Sequence, residues 1–423
     1  MTASVTGLLT VRFFGVLVPS AGIIAAKDER LLHLQRLRLR HFRTYDSLDL
    51  RLDRGVTVLH GPNAVGKTNV LEAIFALATT KSFRTRTDRD LIAWGEQPDS
   101  AARFARIEGD ADARGGPVRV EMTVAESTSR GTEPVARKQF KTNGRPRRAS
   151  EVVGTIKAVL FTPDDVDLVT GSPSQRRRYM DLMLCQIDHR YLRLLQDYAR
   201  IVTQRNALLQ RLRGHEDPAS LLDFWDEKLI AAGAEIITAR KSMLRILNDF
   251  AREAYADVAG IDEQLTIVYR PSLEAAADAA SAELGRVFRE RLDELQTKEI
   301  CQSVTLTGPH RDDLQFLING ADAQYFGSRG QQRSIALALR LGELRYMTNR
   351  TGEEPILLLD EALAELDDSR RDLLLHLIES YPQVIATTSH LDAFPATLRD
   401  RASLRRVSPG HVETARSPQA RAS

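Results

Sequence analysis

Eight residues constrain this chain more than any others. Gly61-Pro62-Asn63-Ala64-Val65-Gly66-Lys67-Thr68 follows an apolar, β-branched run, Val56-Thr57-Val58-Leu59, and precedes a stretch of helical periodicity over residues 69–80. In that stretch Val70, Leu71, Ile74 and Leu77 share one face. Two glycines separated by four residues, then a lysine and a hydroxyl residue, between strand and helix, make a phosphate-binding loop. The glycines let the backbone turn closely, so that successive N–H groups and the helix N-terminus face an anion. Lys67 supplies a point charge for the β- and γ-phosphates of a nucleotide, and Thr68 a hydroxyl for Mg²⁺. ATP with Mg²⁺ is the expected cofactor pair.

A loop of this kind needs a parallel sheet behind it. Ile356-Leu357-Leu358-Leu359-Asp360-Glu361 reads as a central strand, apolar on both faces, that delivers carboxylates to its C-terminal edge. Asp360 is expected in the Mg²⁺ shell, and Glu361 orienting or deprotonating an attacking water. Residues 384–388 form another strand, which ends in Thr388-Ser389-His390. His390 or Thr388 at that edge faces the γ-phosphate. Ser328-Arg329-Gly330-Gln331-Gln332 opens a further helix, a second anion-binding start. Lys67 already surrounds the phosphates in its own copy, so Ser328, Gly330 and Gln331 are expected to meet a nucleotide held by a second copy.

Between these motifs the pattern changes twice. Residues 103–161 alternate short β-like runs with turns and predict a small antiparallel sheet, and residues 174–257 and 273–298 are helical, with breaks at 214–218, Gly233 and Gly260. No heptad seam is long enough for a rod. Short strands are expected at 303–306 and 314–318. The expected fold is α/β: an ATPase head with a mixed sheet and flanking helices, interrupted by a mainly helical second subdomain. Its parts are a poorly ordered extension (1–30), the N-terminal part of the ATPase lobe (31–170), the helical insert (171–300), the C-terminal part of the lobe (301–408) and a flexible tail (409–423).

Composition narrows the partners. With 59 Lys+Arg against 57 Asp+Glu the net charge is +2, so a polyanion surface must be a local patch. Cys185 and Cys301 lack metal-ligand spacing and read as isolated thiols in a reducing compartment. Residues 5–26 are apolar, but Arg12, Pro19 and the glycines make them a poor spanning helix, and Met1 to Gly7 carries no basic start. The expectation is a cytoplasmic protein with no membrane anchor.

The order of these pieces resembles an ABC-type ATPase head and, within that group, the RecF family of bacterial recombination mediators. The likeness is carried by Phe42-Arg43-Thr44-Tyr45, Lys81-Ser82-Phe83-Arg84, Phe161-Thr162-Pro163-Asp164-Asp165, Gly171-Ser172-Pro173 leading to Arg176-Arg177-Arg178, Gly308-Pro309-His310-Arg311-Asp312-Asp313, and residues 328–333. It spans about residues 31–407.

The resemblance implies ATP-dependent head-to-head dimerisation on gapped DNA or single-strand/double-strand junctions. It also implies partnership with RecO and RecR, help in loading RecA, and a role in the SOS response. Through it Arg43 and Asp367 become nucleotide-contacting candidates, and Lys81, Arg84, Arg176, Arg177 and Arg178 candidates for DNA phosphates. A second basic turn holds Arg145, Arg147 and Arg148. The rival reading, an ATPase subunit of a transporter or another ABC-type switch, has no use for about 260 residues between Thr68 and Ser328.

Overall fold

In the computed structural model the described residues are 32–94, 103–127, 135–212, 219–259, 262–273, 281–363 and 366–413, with a short antiparallel pair at Arg12–Phe13 and Val16–Leu17. The expectations for the rest of residues 1–30 and for the tail beyond 413 lie outside the described residues.

Two sheets sandwich one helix. The first is antiparallel, β1 (His33–Phe42), β2 (Tyr45–Arg51), β4 (Phe104–Ala113), β5 (Gly116–Ser127), β6 (Val135–Thr142) and β7 (Arg145–Arg147), in the order β2-β1-β4-β5-β6-β7. The second holds β3 (Gly55–His60), β8 (Ala158–Phe161), β11 (Ile356–Asp360), β12 (Gln383–Thr388), β13 (Ser403–Ser408) and β14 (His411–Val412), in the order β8-β11-β12-β3-β13-β14. Its first five strands are parallel and β14 closes it antiparallel, so the sheet is mixed, as expected. Helix α1 (Lys67–Thr79) lies between the sheets, and its Val70, Leu71, Ile74 and Leu77 join Leu34 and Leu37 of one and Leu59, Leu358 and Ile385 of the other in a single core. Because α1 is covered all round, apolar residues occupy more than one of its faces.

The insert is built from α2 (Pro173–Ile187), α3 (His189–Arg211), α4 (Ala219–Ala259) and α5 (Ser281–Gln302), with a ribbon of β9 (Leu265–Arg270) against β10 (Asp313–Ile318). Helix α6 (Arg329–Thr351) packs along α4, and α7 (Asp368–Ser380) follows the acidic strand.

Three readings of the sequence are corrected. Residues 156–161 do not extend the antiparallel sheet, since Ala158–Phe161 pairs in parallel with Ile356–Leu359 and is buried throughout. Residues 303–306 form no strand. Gly233 does not break a helix but lies within α4, where a Cβ would stand 2.5 Å from Phe288 Cε1, so close packing of α5 explains it. Strands β9 and β13 went unread, β13 because Arg405 and Arg406 interrupt a short run. A bulge in β1 appears as a register shift between Leu34 and Arg36 in its pairing with β4.

The sheets are joined by a buried side chain as well as by apolar packing. Beyond the end of β2, Gln383 of β12 accepts from the Leu34 N–H (2.9 Å) and donates to the Leu34 carbonyl (2.8 Å). Replacing Gln383 by Leu strands both groups in the core, at about 2–4 kcal/mol. A clearly lower thermal midpoint is expected, and an unchanged one would show that Leu34 finds other partners.

Candidate functional site

Parallel pairing sets the position of the site. Asp360 is registered with Thr387, and Thr388 with His60, so three strands end at one edge, where the chain leaves β3 for the glycine loop. Gly61 passes so near β13 that a Cβ would lie 2.4 Å from the Val407 carbonyl oxygen. Gly66 has φ 110°, and a Cβ there would lie 2.7 Å from the Thr44 hydroxyl and against the Tyr45 ring. Tyr45 donates to the Gly66 carbonyl (3.1 Å), and Asn69 donates to Thr44 (2.9 Å). The turn between β1 and β2 therefore braces the loop. Pro62, Asn63 and Ala64 form its exposed crest, while Val65 is buried beneath.

Lys67 opens α1, and the first turn of this helix carries no acidic residue to offset its positive end. The ammonium donates to the carbonyls of Gly61 (2.8 Å) and Pro62 (3.0 Å) and lies 3.1 Å from a Glu361 carboxylate oxygen. Thr68 donates to Asp360 Oδ1 (2.8 Å), and Thr387 donates to the same oxygen (2.7 Å). Burial raises the pKa of Asp360. A buried carboxylate beside a threonine hydroxyl, with no cationic side chain bonded to it among the described residues, suits Mg²⁺, which takes one or two protein oxygens and fills its octahedron with water and phosphate.

Glu361 has φ 50°, and Thr387 accepts from its N–H (3.0 Å). Ser389 donates to the Glu361 carboxylate through its N–H (3.1 Å) and its hydroxyl (3.3 Å). Thr387 and Ser389 thus position the two acids, a role that the sequence announces only as a polar strand end. Of the two γ-phosphate candidates, Thr388 is buried and bonded to the main chain of His390. The His390 ring is exposed, with no hydrogen bond among the described residues.

Ser328 caps α6: its hydroxyl accepts from the Gln331 N–H (3.2 Å), and the Gln331 side chain accepts from the Ser328 N–H (2.8 Å). Among the described residues no hydrogen bond or ion pair links residues 328–332 to the glycine loop. Asp367 caps α7 and pairs with Arg370, whose guanidinium also donates to the Gly330 carbonyl (3.0 Å) and to Ser334 (2.7 Å). Arg370 was missed by sequence reading, because an arginine in the first turn of a helix carries no motif.

Two further expectations change. Arg43 is committed to Glu72 of α1 (2.9 and 2.6 Å) and holds the bracing turn in place. Arg84 donates to Asn69 (2.8 Å) at the edge of the same brace, while its side chain stays exposed. Arg176 is no DNA contact: it is 3 % exposed and ion-paired with Asp313 (2.6 Å). Arg177 and Arg178 donate to the carbonyls of Asp312 (2.7 Å) and Ser82 (2.6 Å), and Lys81 is exposed.

Comparison with known proteins agrees with this geometry. The family described as RecF/RecN/SMC N terminal domain matches residues 33–403. A DNA replication and repair protein RecF from Chloroflexus aggregans is 42% identical over 391 residues, 90% of this chain and 99% of that one. The chain belongs to the RecF family. Another relative so named, from Halalkalibacterium halodurans, is 38% identical over 383 residues, with the same coverage. Among solved structures, the recombination mediator protein RecF-ATP in the RecFOR pathway superposes with a TM-score of 0.82 at 29% identity, covering 92% of this chain and all of that one. The Smc head domain of Pyrococcus furiosus, with a TM-score of 0.50 at 16% identity over 90% of this chain and 96% of its own, shares the fold. Family membership makes this an ATPase-type DNA replication and repair protein. No described helix is long and apolar enough to cross a membrane.

The raised pKa of Asp360 has a consequence for stability. A carboxylate whose folded pKa lies above its unfolded value penalises folding as pH rises past the ordinary carboxylate range. Asp360→Asn is therefore expected to raise the thermal midpoint of the nucleotide-free protein at neutral pH, a gain that fades towards pH 4. A midpoint lowered at both pH values would overturn this account of Asp360.

Proposed function

We propose that two copies of this chain close head to head over two ATP molecules, and that the closed pair holds DNA at gaps or single-strand/double-strand junctions. Hydrolysis then reopens it. In each site Gly61, Pro62, Asn63, Ala64, Val65 and Gly66 wrap the phosphates, Lys67 pairs with the β- and γ-oxygens, and Thr68 and Asp360 would hold Mg²⁺. Bound there, the ion would neutralise phosphate charge during transfer. Glu361, fixed by Ser389, orients the attacking water and takes its proton. The exposed ring of His390 donates to the γ-phosphate. Ser328, Gly330 and Gln331 of one copy seal the nucleotide of the other, and Asp367 approaches it through the turn that Arg370 ties to Gly330.

One observation carries this reading: among the described residues of a single chain, no hydrogen bond or ion pair joins the capped start of α6 to the glycine loop, so the cap is free to serve another copy. A second observation supports it. Tyr325 and Phe326, immediately before the Ser328 cap, are 75 % and 78 % exposed, an apolar edge suited to a seam between copies. The DNA-facing role moves from Arg176 to the hairpin of β6 and β7, where Arg145 and Arg148 are exposed. Action with RecO and RecR, help in loading RecA, a role in SOS induction and a cytoplasmic location complete the proposal. Turnover without DNA is slow, as befits a switch.

The decisive measurement is ATPase rate against protein concentration, with and without gapped duplex. A more than proportional rise, enhanced by DNA, is expected, whereas strict proportionality with full activity overturns the clamp. Lys67→Met should abolish ATP binding. Ser328→Arg should preserve ATP binding and remove ATP-driven dimers, and Tyr325→Ser with Phe326→Ser should weaken them roughly tenfold or more. Dimers unaffected by Ser328→Arg on a sizing column would refute the cross-copy assignment.

For the hairpin, Arg145→Glu with Arg148→Glu should weaken DNA binding and flatten its salt dependence by about one logarithmic unit per arginine. An unaltered salt slope would place the DNA elsewhere.

A further inference from the structure

A cavity with apolar walls lies away from the glycine loop. About 730 Å³ in volume, it lies between the C-terminal end of α1 and the helices α2 and α3, so its walls come from both lobes. That volume is in the range of pockets that hold small organic molecules, which favour such boundaries. Leu182, Leu192, Leu195 and Val202 give it an aliphatic lining.

Its charged groups are all but one positive. Lys81, Arg86, Arg177 and Arg178 face it. Arg177 and Arg178 are half-buried, and the acceptors of their guanidinium groups are main-chain carbonyls. Asp181, the carboxylate on that wall, is already taken by Arg240 (2.8 Å) and Tyr191 (2.6 Å). Burial, then the neighbouring charge of Arg240 for Arg177 and of Arg86 for Arg178, lowers the proton affinity of both guanidiniums. A cleft with low-dielectric walls and surplus positive charge concentrates anions, and a guanidinium pair matches phosphate or carboxylate oxygens.

We infer that this cavity is a binding site for a small organic anion with an apolar body, its head held by Lys81, Arg86, Arg177 and Arg178 and its body by the leucines of α2 and α3. The aliphatic walls exclude a bare inorganic anion as the best fit, since they would be left wet. Nucleic acid fits poorly too. A duplex is too broad for the cavity, and a splayed base wants a flat aromatic face, whereas Tyr198 is buried and its hydroxyl is held by His310 (2.7 Å). A ligand here would touch α1, whose other end carries Lys67, and the helical lobe together.

The test uses the full chain and 1-anilinonaphthalene-8-sulfonate, an organic anion whose fluorescence reports binding. One molecule per chain is expected. Lys81→Glu with Arg86→Glu, both at exposed positions, should weaken it roughly tenfold or more by removing the charge. Ala199→Trp, which fills the cavity from an exposed position on α3, should do the same. ATP binding, retained in every variant, shows that the fold is intact. Displacement by AMP marks a phosphate head, and displacement by octanoate a carboxylate head. Fluorescence that survives both substitutions, or that neither competitor displaces, overturns the assignment.

Discussion

Parallel pairing of β3, β12 and β11 is the constraint on which the rest of the molecule depends. A parallel register fixes which residues share an edge, and here it lays His60, Thr388, Thr387 and Asp360 side by side. A slip of one residue would turn Asp360 to the other face of its strand and part it from Thr68 and Thr387. Strands β11 and β12 hold register because nearly every side chain along them is buried, so any slip buries the acid or exposes a leucine. The glycine loop is then hung from a fixed edge, braced on one side by Tyr45 and Thr44 and closed on the other by Val407.

The helical lobe is organised differently, around buried ions. Arg205, fully buried, is paired with Asp226 and Glu299 (both 2.6 Å) and donates to Thr305 (3.0 Å). Arg240 is paired with Asp181 and donates to the Pro309 carbonyl (2.7 Å), while Asp312 accepts from Tyr269 and the Ser272 N–H. Burial leaves His310 poorly basic, with its pKa lowered to about 4. Taking charges out of water is costly, and such clusters are weak sources of net stability. Their geometry does fix where the loop 308–313 sits relative to α3, α4 and β9. That gives Gly308-Pro309-His310-Arg311-Asp312-Asp313, a stretch with no phosphate-binding rationale, an architectural one.

Strong local chemistry was legible in the sequence. The glycine loop, the acidic strand and the capped start of α6 each combine a backbone requirement with a side-chain requirement, and few alternatives satisfy both. Positions set by distant partners were not legible. Nothing local in Arg176-Arg177-Arg178 shows that Asp313, 137 positions away, neutralises the first arginine. Residues 156–161 share the β-like look of the strands before them, and only pairing with β11 moves them to the other sheet. Gly233 carries the signal of a helix break, but its neighbour in space is Phe288. Thr387 and Ser389 matter through what they touch, and contact is what a single sequence leaves out.

Arg370 brings the two kinds of order together. Its guanidinium joins the Asp367 cap, which follows the acidic strand, to the Gly330 carbonyl and Ser334 at the start of α6. Burial weakens its hold on the proton, and Tyr255 and Glu263 nearby oppose that loss. Glu263 also accepts from Gln331 (2.8 Å), so the cap of α6 is fastened to the helical lobe as well. Displacing Gly330 by even a fraction of an ångström would stretch bonds to Asp367 on one side and Glu263 on the other. A close-packed assembly answers such a push by shifting as a unit rather than by deforming. The start of α6 is therefore coupled mechanically to the α7 cap that follows the acidic strand and to the helical lobe that precedes both in sequence.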